Sequence, residues 1–242
     1  MYQPKTYRLW IQGQDLISFH IIVKESDLYI RASSDLSTRA RKSVLKHRRI
    51  LEEYITKHPS FATSLTPILV KKGAPPIISK MSTAAAKANV GPMAAVAGTI
   101  AYFVGQDLAY FSPELIIENG GDIYLKSLTN RTVAIFAGNS LLSGKIGLEI
   151  KAVDTPIAIC TSSGTVGHSL SLGKADAVVT VSKDAALADA AATAIANRIF
   201  KPDDIQPGIE FAKGIAKLMG VVIIKNDQIG IWGELKVSRT RT

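Results

Sequence analysis

The chain reads CTSSGTVGHS at residues 160–169 and ADAAAT at residues 188–193, with one strand-like segment between them. The first stretch is a turn rich in glycine and hydroxyl groups that leaves a buried strand, and the second belongs to an alanine-rich helix. Backbone amides of such a turn can approach an anion. Asp189 and Thr193 lie four residues apart on one helix face and can share a hard cation. The two stretches are therefore compatible with a site for phosphate and metal.

The predicted helix over residues 183–199 has two nearly opposite stripes. One is apolar, and the other contains Asp189, Thr193 and Asn197. A polar stripe opposite an apolar one usually faces solvent. The alanines on both sides of it, however, leave room for a second element or a ligand to approach closely. The sequence leaves solvent and a binding site equally open for this stripe.

The turn at residues 161–169 allows several chemistries. It lacks the Gly-x-Gly-x-x-Gly and Gly-Lys-Ser/Thr spacings of nucleotide-binding loops. Cys160 with His168 is compatible with a catalytic thiolate, although a cysteine after three apolar residues is more typical of a buried small side chain. His168 either orients a phosphate or bonds to a loop carbonyl. The four histidines form no zinc-binding spacing with the single cysteine.

A second polar turn reads Asn119-Gly120-Gly121-Asp122. Asn-Gly is a strong signal for a β-hairpin, because glycine adopts positive φ without steric cost. The same turn could also be part of a site, since two glycines let a ligand lie against the backbone while Asn119 and Asp122 provide polar anchors. Both interpretations remain open from the sequence.

Composition indicates a globular protein. The 242 residues are 47% hydrophobic and 20% charged, which suits one large domain or two small ones packed closely together. The single cysteine excludes an intramolecular disulfide, and the N-terminus leads into no apolar signal region, so we expect a cytoplasmic protein. Residues 88–106 are uncharged but consist mostly of Ala, Gly and Thr. They favour a buried helix over a membrane span, so we expect no membrane partner.

Basic charge is concentrated in one predicted helix, residues 35–57. The net charge is +9, and residues 39–49 alone contain six basic residues and no acidic one. Apolar residues at helical spacing give this helix a buried face, so its basic face is either a solvated surface or a docking surface for an acidic partner. No aromatic residue within residues 39–49 could stack on bases, which argues against nucleic acid as that partner.

Hydrophobic periodicity predicts a chain of mixed secondary structure. Strands are predicted at residues 7–12 and within 17–32, followed by the basic helix and by two helices separated at Gly91-Pro92. Further strands are predicted at 115–118, 122–125, 132–137, 146–150, 157–161 and 177–182. Helices at 183–199 and 209–219 and strands at 221–225 and 229–232 complete the prediction. Runs of adjacent strands between clustered helices favour an α+β fold.

Three motifs resemble a known family. Asn119-Gly120-Gly121-Asp122-Ile123, Thr161-Ser162-Ser163-Gly164 and residues 188–193, in this order, look like the central motifs of the ApbE-like superfamily, whose characterised members are FAD-dependent protein FMN transferases. More closely, the chain is similar to an uncharacterised branch of that superfamily, in which residues 91–98 and 162–169 are distinctive. The resemblance covers most of residues 19–199.

The resemblance implies an α+β roll of mixed or antiparallel sheets with helices packed between two sublobes, about residues 1–110 and 111–242, of one domain. It also implies a magnesium ion at Asp189 and Thr193 beside the pyrophosphate of FAD, and FAD or FMN as the flavin. The cofactor-binding residues implied are Asn119, Gly120, Gly121, Asp122, Thr161, Ser162, Ser163, Gly164, Thr165, Gly167 and His168. This chain departs from the transferases in two places, because it lacks their His-Ile-Ile-Asp-Pro segment and the lysine of their Lys-Gly-Tyr segment.

Two functions follow as hypotheses. The first is a divergent ApbE-like protein that binds a flavin or another phosphate-bearing ligand with Mg²⁺, with a transferase or hydrolase activity. In that case magnesium would neutralise a pyrophosphate that the turn at residues 163–167 aligns. The second is a non-catalytic binding or scaffold protein that docks an acidic partner through the basic residues 39–49. Docking of that kind weakens steeply with salt.

Overall fold

The computed structural model describes residues 15–165 and 172–240. The predicted strand at residues 7–12 lies outside the described residues. Strands in chain order are Ile17–Val23 (β1), Ser26–Ala32 (β2), Leu115–Asn119 (β3), Asp122–Lys126 (β4), Arg131–Ala134 (β5), Ile146–Ile150 (β6), Ile157–Ser162 (β7), Ala177–Ser182 (β8), Gly220–Lys225 (β9), Gln228–Gly233 (β10) and Lys236–Arg239 (β11). Helices are Ser37–Lys57 (α1), Ser60–Thr63 (α2), Pro76–Ala88 (α3), Val96–Leu108 (α4), Ala185–Ala196 (α5) and Ile205–Lys213 (α6).

The strands form two sheets. Eight of them make the large sheet in the order β1-β2-β3-β4-β7-β8-β9-β10, and β11-β6-β5 make the small one. All neighbours in both sheets are antiparallel, which together with the helices confirms the α+β class. β2 pairs with β3, so one sheet crosses the boundary between residues 1–110 and 111–242. The two sublobes expected at that boundary stay a prediction.

The large sheet is covered on both faces. Successive side chains of a strand point to opposite faces, and β3 shows the result, because Leu115 and Ile117 pack in the core beneath the helices. Ile116, between them, packs in a second core with residues of the small sheet such as Val133 and Leu148. Strands buried on both faces contain continuous apolar runs rather than an alternating pattern.

Helix α5 lies at the centre of the helical layer. Eleven of its twelve residues are buried, and Thr193 is the exception. It packs on β7 and β8 and against α3 and α4, and its alanines let these elements come close. The hydroxyl of Thr180 on β8, for example, donates a hydrogen bond of 2.7 Å to the carbonyl of Ala188. Asp189 is therefore buried among protein elements and is not part of a solvent-facing stripe.

Several elements differ from their predictions. The break at Gly91-Pro92 is present, but Pro92 begins a 3₁₀ turn, Pro92–Ala95, before α4. The last helix begins earlier than predicted, at Ile205, and ends at Lys213. Just before it, the carboxylate of Asp204 accepts hydrogen bonds from the amides of Phe200 and Lys201. Strand β11 was not predicted, because it is a short strand at the edge of the small sheet, beside β6. Local pattern carries little signal for a four-residue edge strand.

Among the described helices, no single one is both long and apolar enough to cross a bilayer. The bent pair Pro76–Ala88 and Pro92–Leu108, with 105° between its members, reaches the limits of length and composition only when the two are counted together.

The basic helix is amphipathic, as predicted. Ala40, Val44 and Leu51 are buried, and much of the basic face bonds within the protein. The guanidinium of Arg39 lies over the Phe111 ring. Three other basic side chains form ion pairs: Lys46 with Asp107, Arg48 with Glu25 and Glu52, and Arg49 with Glu53. Arg41 and Lys42 form no ion pair with other described residues. The docking of an acidic partner here stays a prediction.

Candidate functional site

The Asn119–Asp122 turn connects β3 and β4. Asn119 pairs with Asp122 in the antiparallel register, and Gly120 and Gly121 both have positive φ, 68° and 108°. Two successive residues with positive φ are what a two-residue hairpin of the type I′ class requires. The hairpin interpretation is therefore confirmed. A Cβ added to Gly120 would have no neighbour within 4 Å, so the backbone at this corner is open on one side.

Two buried carboxylates lie near this hairpin. Asp122 is 6% exposed and accepts a hydrogen bond of 3.2 Å from the backbone amide of Thr161. Asp189 is 9% exposed and accepts one of 2.8 Å from the backbone amide of Gly98. Burial raises the pKa of Asp122 to about 7. Burial also raises the pKa of Asp189 well above its usual range, and repulsion from Asp122 adds to this effect.

No cationic side chain neutralises this carboxylate pair within residues 15–165 and 172–240. Buried charges are normally paired or bound to a metal ion. A divalent cation would supply the missing positive charge, and carboxylate oxygens are ligands that Mg²⁺ prefers. The described residues contain no cluster of three or more His, Cys, Asp or Glu side chains arranged for a metal. A cation here would therefore need oxygens from hydroxyl groups, the backbone or the ligand as well.

Helix α4 links the hairpin to α5. The side-chain amide of Asn119 donates a hydrogen bond of 3.0 Å to the carbonyl of Ala97, and the next amide along the chain, that of Gly98, reaches Asp189. A Cβ at Gly98 would lie 2.6 Å from the carbonyl oxygen of Ala185 and 2.9 Å from the Cβ of Asp189. Only glycine lets α4 come this close to α5. Ala97 and Gly98 were not among the predicted site residues, although they end the segment 91–98 that carries part of the family resemblance.

Thr193 lies one turn beyond Asp189 on α5 and is half-buried. Four residues of α-helix correspond to a rise of about 6 Å, so the two side chains lie on adjacent turns of the same face. Asn197, one turn further on, accepts a hydrogen bond of 2.8 Å from the amide of Leu172. The predicted polar stripe thus begins with the buried carboxylate of Asp189 and ends with Asn197, whose side chain is hydrogen-bonded to the backbone at residue 172.

The hydroxyl-rich turn follows β7. The amide of Gly164 donates to the carbonyl of Ala175 at 2.9 Å, and the amide of Thr165 donates to the hydroxyl of Ser163 at 3.1 Å. These two amides are therefore occupied by protein acceptors, whereas the hydroxyls of Thr161 and Ser162 form no hydrogen bond with another residue that the structure describes. Gly167 and His168 lie outside the described residues.

Glycine is required in the turn because the chain passes close to itself. A Cβ on Gly164 would lie 2.1 Å from the carbonyl oxygen of Gly173. The hydroxyl of Thr165 also lies 3.2 Å from a carboxylate oxygen of Asp176. The described part of the turn is thus fastened to residues 173–176, at the start of β8.

Cys160 is completely buried, in agreement with its interpretation as a small core residue. Its thiol lies 3.7 Å from the carbonyl oxygen of Ala185. Burial raises the pKa of the thiol well above its usual value, and the charges of Asp122 and Asp189 raise it further. A thiolate is the form that attacks an electrophile, so this environment does not suit a nucleophilic cysteine.

The chain is similar to known proteins along most of its length. The model of the family described as AbpE bacteria matches residues 8–213. A UPF0280 protein of Methanocaldococcus jannaschii is 40% identical over 221 residues, which are 89% of this chain and 90% of that protein. A UPF0280 protein of Methanopyrus kandleri is 40% identical over 225 residues, 90% of this chain and 91% of that protein.

Solved structures show the same fold at low identity. The ApbE protein of Thermotoga maritima superposes with a TM-score of 0.60 at 11% identity, covering 90% of this chain and 97% of that one. The apo flavinyl transferase ApbE of Pseudomonas stutzeri has a TM-score of 0.56 at 10% identity, covering 93% and 95%. These structures establish an ApbE-like fold for this chain.

Proposed function

We propose, since this chain belongs to the family described as AbpE bacteria, that it binds a flavin or another phosphate-bearing ligand together with Mg²⁺. The observation that carries the proposal is the buried pair of Asp122 and Asp189, which has no cationic side chain beside it in the described part of the chain. A flavin is favoured as the ligand because solved proteins of the same fold are flavin transferases.

The residues present fit a magnesium ion. Asp189 would hold it through its carboxylate and Thr193 through its hydroxyl, in agreement with the sequence hypothesis. The bound ion would neutralise the charge of a pyrophosphate group. Asp122 would remain close by and favour a cation over a second anion.

The ligand would lie along the open side of the hairpin. The backbone at Gly120 leaves room for close approach. Ser162, which alternates onto the same face of β7 as Cys160 and so faces α5, offers a hydroxyl group at the adjoining end of the strand. The Ser162 hydroxyl would orient phosphate oxygens, and residues 163–165 would close the phosphate end of the site. Cleavage or transfer at the pyrophosphate, with water or an acceptor group as nucleophile, is the reaction class that such an arrangement supports.

Titration with FAD tests this function directly. The purified chain is titrated with and without Mg²⁺, flavin fluorescence follows binding, and separation of the products detects FMN and AMP. We expect saturable binding that depends on Mg²⁺. AMP release in addition would assign a transferase or hydrolase activity, whereas binding without products would assign a flavin site without turnover.

A double variant gives the matched comparison. Asp189→Ala with Thr193→Ala should abolish the dependence of binding on Mg²⁺. Asp203→Ala with Thr83→Ala changes the same residue types at exposed positions and should bind as the wild type does. Unchanged Mg²⁺-dependent affinity in the Asp189 and Thr193 variant would refute the proposed metal site.

A further inference from the structure

One peptide unit, the bond between Ala97 and Gly98, connects the hairpin to the carboxylate of Asp189. Its carbonyl oxygen accepts the hydrogen bond of 3.0 Å from the side chain of Asn119. Its N–H donates the hydrogen bond of 2.8 Å to Oδ2 of Asp189. Three elements that are distant in sequence, the end of β3, the start of α4 and the middle of α5, therefore meet at a single planar group.

The N–H of Gly98 is suited to this contact because of its place in the helix. α4 begins at Val96, so the amide of Gly98 is one of the first four, which have no acceptor within their own helix. Asp189 supplies that acceptor from another helix and also lies near the positive end of the α4 dipole. The Gly98 amide fixes Oδ2 of Asp189, and the backbone amide of Ala97 also bonds this carboxylate.

Asn119 controls the other end of the same unit. It is 6% exposed, and its own backbone is held by pairing with Asp122. Because a peptide group is rigid and planar, a donor that holds the carbonyl also sets the direction of the N–H. Hydrogen bonds in such a chain polarise one another, so the first bond strengthens the second.

We propose that Asn119 is a positioning residue that fixes the Asp189 carboxylate through the Ala97–Gly98 peptide and thereby sets the affinity of the site for a divalent cation. This inference rests on the proposed function for its metal but not for its geometry. Residues that orient a metal ligand through hydrogen bonds typically change metal affinity 10- to 100-fold when mutated.

The test uses the full chain and two readouts. Asn119→Leu keeps the volume of the side chain and removes its donor, whereas Asn119→Gln keeps an amide donor on a longer stem. Mg²⁺ alone is titrated by calorimetry, and the amide resonance of Gly98 is followed by NMR without any metal. We expect Asn119→Leu to lower Mg²⁺ affinity about tenfold or more and to move the Gly98 amide upfield, and Asn119→Gln to recover part of both.

A matched control is Asn130→Ala. The Asn130 side chain accepts a hydrogen bond of 2.9 Å from the amide of Ala152, so the variant removes one side-chain-to-backbone bond elsewhere. It should leave both readouts unchanged. Wild-type Mg²⁺ affinity in Asn119→Leu, or an unmoved Gly98 resonance, would overturn the inference. If the wild type itself binds no Mg²⁺, the proposed function loses its metal, and the Gly98 resonance alone then decides whether Asn119 orients Asp189.

Discussion

The pKa values of single carboxyl groups in this protein move in opposite directions according to their surroundings. Asp15 bonds to the guanidinium of Arg131, which lowers the pKa of that carboxyl to about 2. Asp122 and Asp189 are buried without such a partner, and their pKa values rise. Asp15 is exposed and lies beside a positive charge, whereas Asp122 and Asp189 are buried without one, and burial disfavours the charged form. A carboxyl pair that lacks one is typical of a site that binds a cation.

The raised pKa of Asp122 predicts how stability depends on pH without divalent metal. The folded state, with a pKa of about 7, binds the proton more tightly than the unfolded state, with 3.8. The stabilising contribution of the Asp122 carboxyl is therefore complete below about pH 3.8. It is lost as the pH rises through about 7. Between them we expect the free energy of unfolding to fall by up to about 1.4 kcal/mol per pH unit.

Urea denaturation at several pH values between 4 and 8, without divalent metal, measures this slope. Asp122→Asn keeps an acceptor for the amide of Thr161 but cannot ionise, so its slope should be flatter than that of the wild type. Saturating Mg²⁺ should flatten the wild-type slope as well. Equal slopes for both proteins without metal would show that the carboxyl of Asp122 does not titrate in this range.

Gly98 provides a second prediction for a single residue. Alanine there would place its Cβ 2.6 Å from the carbonyl oxygen of Ala185, so α4 and α5 would have to separate. We expect Gly98→Ala to cost about 1–3 kcal/mol in denaturant unfolding, as overpacking does. Gly214→Ala is the control, since its Cβ would meet only the carbonyl oxygen of Phe211 at 3.4 Å. A stability at least equal to wild type in Gly98→Ala would contradict the close approach of the two helices.

At the level of elements, α1 is fastened to α4 by one partly buried acid. Asp107 accepts hydrogen bonds from Ser43 and His47 on α1, at 2.8 and 2.9 Å, and forms an ion pair with Lys46 at 3.2 Å. Burial lowers the pKa of His47. Because α4 also carries Ala97 and Gly98, this attachment helps to hold the helix on which the site depends.

Removal of this acid should destabilise the pair of helices. Asp107→Ala leaves a buried hydroxyl and a buried imidazole without their acceptor, so we expect a loss of about 2–3 kcal/mol in the free energy of unfolding. Glu53→Ala removes an acid that pairs with Arg49 at the exposed surface, and such pairs contribute less than about 1 kcal/mol. Chemical denaturation of the two variants distinguishes them. Similar losses would indicate that α1 is held by its apolar face alone.

For the whole molecule, the shared sheet predicts that its two halves do not fold separately. β1 and β2 come from the first half, and the only strand pairing of this hairpin with the rest of the described sheet is that of β2 with β3. A two-stranded hairpin is marginally stable at best. We expect a fragment of residues 1–110 to show no cooperative thermal transition by circular dichroism, and the full chain to unfold in one. Cooperative unfolding of the fragment would instead support an independent N-terminal lobe.

Local patterns were enough to place most of the elements. The predicted bounds of β6 and β8 match the structure, and the Asn-Gly turn forms the hairpin expected from it. These features depend on neighbours within a few residues, where hydrophobic periodicity and the conformational freedom of glycine act directly. The family resemblance also predicted the α+β fold, because its three motifs occur in a fixed order along the chain.

The sequence by itself therefore determined the elements, the fold class and the residue types available for a site. Only the tertiary structure decided that Asp189 is buried, that Gly98 donates to it from 91 residues away, and that Asn119 bonds the same peptide unit. It also decided that α5 is buried on almost every side. The reason is physical, since burial and hydrogen-bond partners of these groups depend on which strands and helices pack together. Which strands and helices pack together depends on contacts throughout the core and cannot be read from any short segment.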